Sequence, residues 1–286
     1  MKDYCIIGMT ELNLEGIQQQ SLEVLKAFDA YAREHDIKYF LAYGTLLGAA
    51  RHKGFIPWDD DIDVLVPRPD YDRLCREFKA DGYEIIYPGN TPSCYLPFGR
   101  LCDTRRTLVK SADPWIKGRT DYGIWIDLFP LDSVTDNQEE FTALYRDMLK
   151  YYKEQLSIRR RKTMIDSAFG FKRNLKTVLH WFLHPVRHFQ NPIPVRDKVL
   201  KAMADCPPYG STGHLSMLPC PEREWEWFPA EDFARTVMID FCGLKFPAPA
   251  AYDRHLRQVF GDYMQLPPEE ERTPRQMKFM KFYLRD

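Results

Sequence analysis

The sequence predicts an α+β fold: a mixed, partly antiparallel sheet with helices on its faces and a helical insertion. Two observations carry this expectation. Short apolar runs of β type, at 38–42, 61–66, 83–87 and 123–130, alternate with longer segments of helical period. The chain has 286 residues, 44% hydrophobic and 28% charged, which is enough to bury a substantial core.

Taken in order, Leu14, Ile17, Ser21, Val24, Leu25, Phe28 and Tyr31 recur at intervals of three and four, the pattern of an amphipathic helix. A strand follows at Lys38–Ala42, and Gly44-Thr45-Leu46-Leu47-Gly48 then opens a short helix. Strand, Gly-Thr and helix together put free backbone N–H groups and a hydroxyl at a helix N-terminus, which suits phosphate. Arg51, His52 and Lys53 leave this helix and add cations.

The next stretch, Trp58-Asp59-Asp60-Asp61-Ile62-Asp63, sets four carboxylates within five positions, directly before Val64-Leu65-Val66. With a strand over Asp61–Val66, Asp61 and Asp63 share one face while Ile62, Val64 and Val66 take the other. Such a pair repels itself unless a cation lies between the oxygens, and Mg²⁺ or Mn²⁺ takes oxygen ligands. Asp59 is expected to add an outer hydrogen bond. Asp60, on the opposite face from Asp61, is expected to be the least needed. The plain alternative is a solvated acidic turn, but that would not require the alternation to run on into an apolar strand.

A helix at 70–79 begins at Pro69, and short strands follow at 83–87, 95–102 and 107–110, with Arg100, Arg105 and Arg106 near them. Gly123–Pro130 is an apolar β-type run with Asp127 in its middle. A charge in a buried strand is costly unless paired or bound to metal, which makes Asp127 the third candidate ligand. Asp132, after Pro130, is expected in a turn with a capping or loop role.

From 138 the chain turns polar and helical, ending in Arg159-Arg160-Arg161-Lys162, and a basic amphipathic segment follows. Two uses fit residues 159–186: contact with an anionic membrane surface, slightly favoured by the density of cations, and packing on the core. Nucleic acid ranks last, because the net charge is −1 and no RNA-binding module is present. His180, His184 and His188 recur at i, i+4, but Pro185 interrupts them and no carboxylate joins them. A helix at 195–204, a strand at 235–241 and a helix at 252–259 complete the reading. The seven cysteines are scattered without a C-x-x-C pair, so reduced thiols are expected. No apolar run approaches the ~20 residues of a membrane span, and the start does not open a signal peptide. The expectation is a cytoplasmic protein, peripheral on the inner face of the membrane if the basic segment docks there.

Gly-Thr, a short helix and Asp-x-Asp on the next strand resemble the nucleotidyltransferase superfamily. Within it, GTLLGAARHKGFIPWDDDID, PFGRLCD, GIWIDLFPLD and FGDYM are similar to segments of the LicD family of phosphocholine transferases, which is related to the fukutin-type transferases. The similarity runs from about 17 to 268 and is densest at 39–71, 95–132 and 244–268.

More strongly than periodicity, the resemblance implies a single nucleotidyltransferase-like domain, with a core at 14–135, an insertion at 138–190 and a C-terminal part at 195–286. It implies metal-dependent transfer of phosphocholine from CDP-choline to a hydroxyl of a cell-surface glycan, releasing CMP. Asp61, Asp63 and Asp127 would hold Mg²⁺ or Mn²⁺. Gly44, Thr45, Arg51, Lys53 and Arg100 would meet the donor phosphates. A quaternary ammonium is bound by aromatic faces, and Trp58, Trp115, Tyr122, Trp125, Trp225 and Trp227 are candidates. Tyr43 stands where family members carry a small residue, and with Trp58 it is a candidate for stacking on base or choline. Other CDP-linked phosphoalcohols (ethanolamine, ribitol or glycerol phosphate) would use the same metal site. Nucleotidyl transfer from a triphosphate and a membrane-docked glycan-binding scaffold remain as alternatives.

Overall fold

The computed structural model describes residues 8–111, 115–161, 191–221 and 226–285, together with 175 and 178. Apart from 175 and 178, the expected basic segment at 159–186 lies outside these residues or outside the described side chains, as do the three histidines and Trp225.

The principal sheet follows from the predicted apolar runs. Its order is β2 (Phe40–Leu41), β3 (Asp63–Pro67), β7 (Trp125–Val134), β5 (Gly99–Asp103) and β4 (Tyr83–Ile86). β3 and β7 are parallel and the other pairs along this path are antiparallel, the mixed sheet that was expected. β8 (His214–Ser216) pairs with the far end of β7, and β9 (Phe228–Pro229) pairs with β8. Val64, Leu65 and Val66 are all buried, so β3 is covered on both faces.

Helix α1 (Leu14–Glu34) is capped by Asn13, whose side chain accepts a 2.8 Å hydrogen bond from the Gly16 amide. It buries Ile17, Val24, Leu25 and Phe28, the face read from the sequence. α2 (Tyr43–His52) follows β2 directly, and α3 (Arg68–Glu77) starts with Pro69 in its first turn. α4 (Gln138–Arg161) and α5 (Ile193–Ala204) enclose a smaller apolar cluster that includes Phe141, Tyr145, Met148 and Val199. A hairpin of β10 (Thr236–Phe241) and β11 (Leu244–Pro249) leads into α6 (Tyr252–Phe260). A second sheet sets β12 (Met280–Arg285) between β1 (Met9–Glu11) and β6 (Thr107–Ser111).

Three readings are corrected. The strand expected over 95–102 begins only at Gly99, because Pro97 removes a ladder donor just before it. The strand after Asp61 begins at Asp63. The strand through Asp127 does not stop at Pro130 but continues to Val134, so Asp132 lies within a strand and is buried. There it pairs with Arg68, whose Nε and Nη2 lie 2.5 and 2.7 Å from the carboxylate oxygens.

Candidate functional site

The site is built where β2 turns into α2. The Ala42 amide bonds the Asp63 carbonyl at 3.0 Å, and the Asp63 amide donates to Thr45 Oγ1 at 2.9 Å. The start of α2 is thereby fixed to the start of β3. Tyr43 makes the turn with φ at +42°, a conformation uncommon for a bulky residue, and its ring meets Phe129 edge-on at 6.0 Å.

Asp59 lies over this turn. A Cβ on Gly44 would stand 2.6 Å from Asp59 Oδ2, so only glycine allows the carboxylate this approach. Asp59, Asp60 and Asp61 bring one oxygen each within 4.8 Å of one another, the spacing of ligands around a cation. Burial pushes Asp59 up to about 6, against a hydrogen bond shared with Asp61. Burial also raises Asp61 well above the usual carboxylate range, and the charges of Asp59, Asp63, Asp60 and Asp127 add to it. So many carboxylates facing one another under burial form a donor set suited to a hard divalent ion.

Asp60 has a further task. Its carboxylate accepts backbone N–H bonds from Arg275, Gln276 and Met277 at 3.2, 2.9 and 2.9 Å. Far from being spare, it clasps the segment before β12 to the acidic loop. The same clasp brings Gln276 Nε2 to 3.3 Å from Asp61 Oδ2. On the other side, Gln18 Nε2 donates to the Asp59 carbonyl at 2.8 Å. Sequence reasoning missed Gln18, Arg275 and Gln276, whose partners lie far away in the chain and leave no local spacing to read.

Asp63, Asp127 and Arg100 form a row across β3, β7 and β5, each directly opposite the next. Asp127 does not join the cluster of Asp59, Asp60 and Asp61. It faces Arg100, whose Nε lies 2.6 Å from Oδ1 and Nη2 3.4 Å from Oδ2. The guanidinium is centred 4.7 Å from the Trp115 ring and 4.4 Å from the Trp125 ring. Burial alone would lower the Arg100 pKa, but the charge and hydrogen bonds of Asp127 more than reverse this.

The remaining candidates are dispersed. Arg51 donates to the Tyr263 and Gln265 carbonyls and to His52 Nε2, tying α2 to the loop after α6. Lys53 is exposed at the opposite end of α2 from Gly44 and Thr45, with φ at +61°. The aromatic candidates separate into groups. Trp115, Tyr122 and Trp125 form one cluster, with Arg100 held against Trp115 and Trp125. Trp58 lies beneath Arg272 at 5.6 Å. Trp227 stacks on His214 and donates to the Thr135 carbonyl, packing with Phe141 in the smaller cluster. A cavity of about 350 Å³ beside Arg68 and Asp132, lined also by Cys206 and Tyr209, touches none of the candidate ligands.

Residues 36–156 match the family model described as LicD/FKTN/FKRP, nucleotidyltransferase domain. The chain is 30% identical over 275 residues to the lipopolysaccharide cholinephosphotransferase LicD of Haemophilus influenzae, covering 93% of this chain and 97% of that protein. The chain belongs to the LicD family. It is a transferase, and the α+β fold and the motifs agree with that membership. An uncharacterized protein of Rickettsia typhi is 35% identical over 141 residues, 48% of this chain and 40% of its own length. Another from Rickettsia prowazekii is 34% identical over 90 residues, 30% of this chain and 31% of its own. Among the described residues no helix is long and apolar enough to cross a membrane.

Proposed function

We propose that this LicD-family transferase moves phosphocholine from CDP-choline to a hydroxyl of lipopolysaccharide or a related cell-surface glycan. The observation that carries the reading is the group of Asp59, Asp60 and Asp61, gathered over Gly44 at the head of α2, in a chain similar along 93% of its length to a cholinephosphotransferase.

Asp61 and Asp63 would hold Mg²⁺ or Mn²⁺, with Asp127 as a further ligand and Asp59 as an outer partner. The ion would supply neutralisation of the charge that develops on the transferring phosphoryl group. The α2 N-terminus at Gly44 and Thr45 faces the acidic loop and would cradle donor phosphate with backbone amides. The acceptor oxygen bonds to the phosphorus that carries choline, the bond from that phosphorus to the bridging oxygen breaks, and CMP leaves with the electron pair. A carboxylate of the site, Asp127 in this reading, accepts the hydroxyl proton and returns it to solvent. Alignment of the two oxygens and neutralisation of the developing charge together lower the barrier.

The test is incubation with CDP-choline and delipidated or intact lipopolysaccharide, with and without Mg²⁺, following CMP and labelled product. Mg²⁺-dependent CMP release with choline recovered on the glycan supports the reading. CMP release only from CDP-ethanolamine, CDP-ribitol or CDP-glycerol would move it to another phosphoalcohol. Pyrophosphate released from a triphosphate would replace it with nucleotidyl transfer.

A further inference from the structure

We propose that Arg100 is a resident counter-cation: a positioning residue that holds the Asp127 carboxylate out of the acidic cluster until a divalent ion draws it in. The inference rests on the divalent-metal reading above and adds to it a competitor built from this chain's own residues.

Asp127 stands directly opposite Asp63 on the neighbouring strand, beside the three gathered carboxylates, yet its oxygens are not among them. Both face the guanidinium fork of Arg100. A divalent ion and a guanidinium on the two oxygens of one buried carboxylate repel each other. Loading the ion through Asp127 therefore weakens the Arg100 contact, whose longer arm at Oδ2, 3.4 Å, is the first to yield.

Loosening an ordinary buried ion pair would strand a charge. Here the cation has other support. It lies against the faces of Trp115 and Trp125, with Phe98 at 5.9 Å, and these faces hold a guanidinium by cation–π attraction whether or not the carboxylate is present. Its bonding is also incomplete. Among the described residues, Arg100 Nη1 is buried without a hydrogen-bond partner, as are Nε1 of Trp115 and Nε1 of Trp125. Buried donors are ordinarily satisfied, and a guanidinium that served packing alone would be expected to use more of its five N–H groups. An aromatic support with spare donors lets the arginine remain in place while its carboxylate partner changes.

The experiment is Mn²⁺ binding by calorimetry to the full chain and to Arg100→Gln, Arg100→Lys, Asp127→Asn and the Arg100→Gln/Asp127→Asn pair. Arg100→Gln is expected to bind Mn²⁺ about tenfold or more tightly than the parent, as removal of a nearby like charge implies. Arg100→Lys, which keeps the charge, should stay near the parent. In the Asp127→Asn background, Arg100→Gln should give much less of this gain, because the two act as a unit. Equal or weaker Mn²⁺ binding by Arg100→Gln would overturn the counter-cation role and leave the metal reading standing. No binding by any form would overturn both.

Should Arg100→Gln fail to fold, Mg²⁺ titration of the parent followed by tryptophan emission decides the matter. A change that persists in Trp58→Phe and is lost in Trp125→Phe is expected. Mg²⁺ binding with unchanged emission would overturn the proposal.

Discussion

Asp60 and Gln276, 216 positions apart in the chain, are joined by a 2.9 Å hydrogen bond from the Gln276 amide to Asp60 Oδ2. With the Arg275 and Met277 amides on the same carboxylate, one side chain organises a backbone turn and holds it over the acidic loop. Asp60→Ala should therefore cost about 3 kcal/mol or more in unfolding free energy, since hydrogen bonds to a charged acceptor contribute roughly 1.5–3 kcal/mol each and do not add fully. Urea denaturation measures it. Asp60→Asn, which keeps an acceptor oxygen, should recover part of the loss.

The neighbouring carboxylates should act in the opposite sense. Asp59 rises from 3.8 to about 6 on folding, and burial with the neighbouring carboxylates raises Asp61 as well. The unfolded chain thus releases these protons first, the folded state binds more protons over this span, and stability contributed by the two groups falls as pH rises. Thermal unfolding of the chelator-treated protein should show the melting temperature dropping as pH rises from 3.8 through about 6. Asp59→Asn with Asp61→Asn should flatten that slope, and Mg²⁺ should restore stability at mildly alkaline pH.

Gly44→Ala isolates the approach of Asp59 to the α2 N-terminus. The added methyl would meet Asp59 Oδ2 at 2.6 Å, so the carboxylate must move. Alanine is the better helix former by about 1 kcal/mol, which offsets the local clash and should leave the fold intact. Turnover should fall by roughly tenfold or more, the scale on which small misplacements act. Steady-state kinetics beside circular dichroism checks both halves of the expectation.

Arg68→Ala strands Asp132, whose side chain is 3% exposed. Removing one partner of a buried pair costs about 3–5 kcal/mol. Replacing both, with Arg68→Met and Asp132→Leu, should return most of the loss, because the penalty lies in the unpaired charge. Denaturant midpoints of the single and double variants test this.

What the sequence made legible was whatever repeats at short range. The face of α1, the Gly-Thr turn into α2, the step from Asp63 into a buried strand and the charge at Asp127 each follow from spacing within a few residues. Pro130 misled because a proline ordinarily closes a strand, whereas here β7 runs on to pair with β8. The bonds of Asp60 had no local signature, because its partners come from a distant turn and not from the strand face assigned to it. Arg100 was read as a phosphate contact from its motif. Its pairing with Asp127 and its seat against two indoles depend on the register of β5 against β7 and on a loop reaching Trp115, neither of which has a local signature.

The clasp between Asp60 and residues 275–277 also bears on how the protein is made. On the ribosome the aspartates of the acidic loop emerge long before the amides that bind Asp60, and the strand that follows those amides must still find its place between β1 and β6. For most of its synthesis the nascent chain carries the loop without its fastening. Removing residues 275–285 would take away β12 together with the three amides on Asp60, so the second sheet and the fastening of the acidic loop are lost in one step.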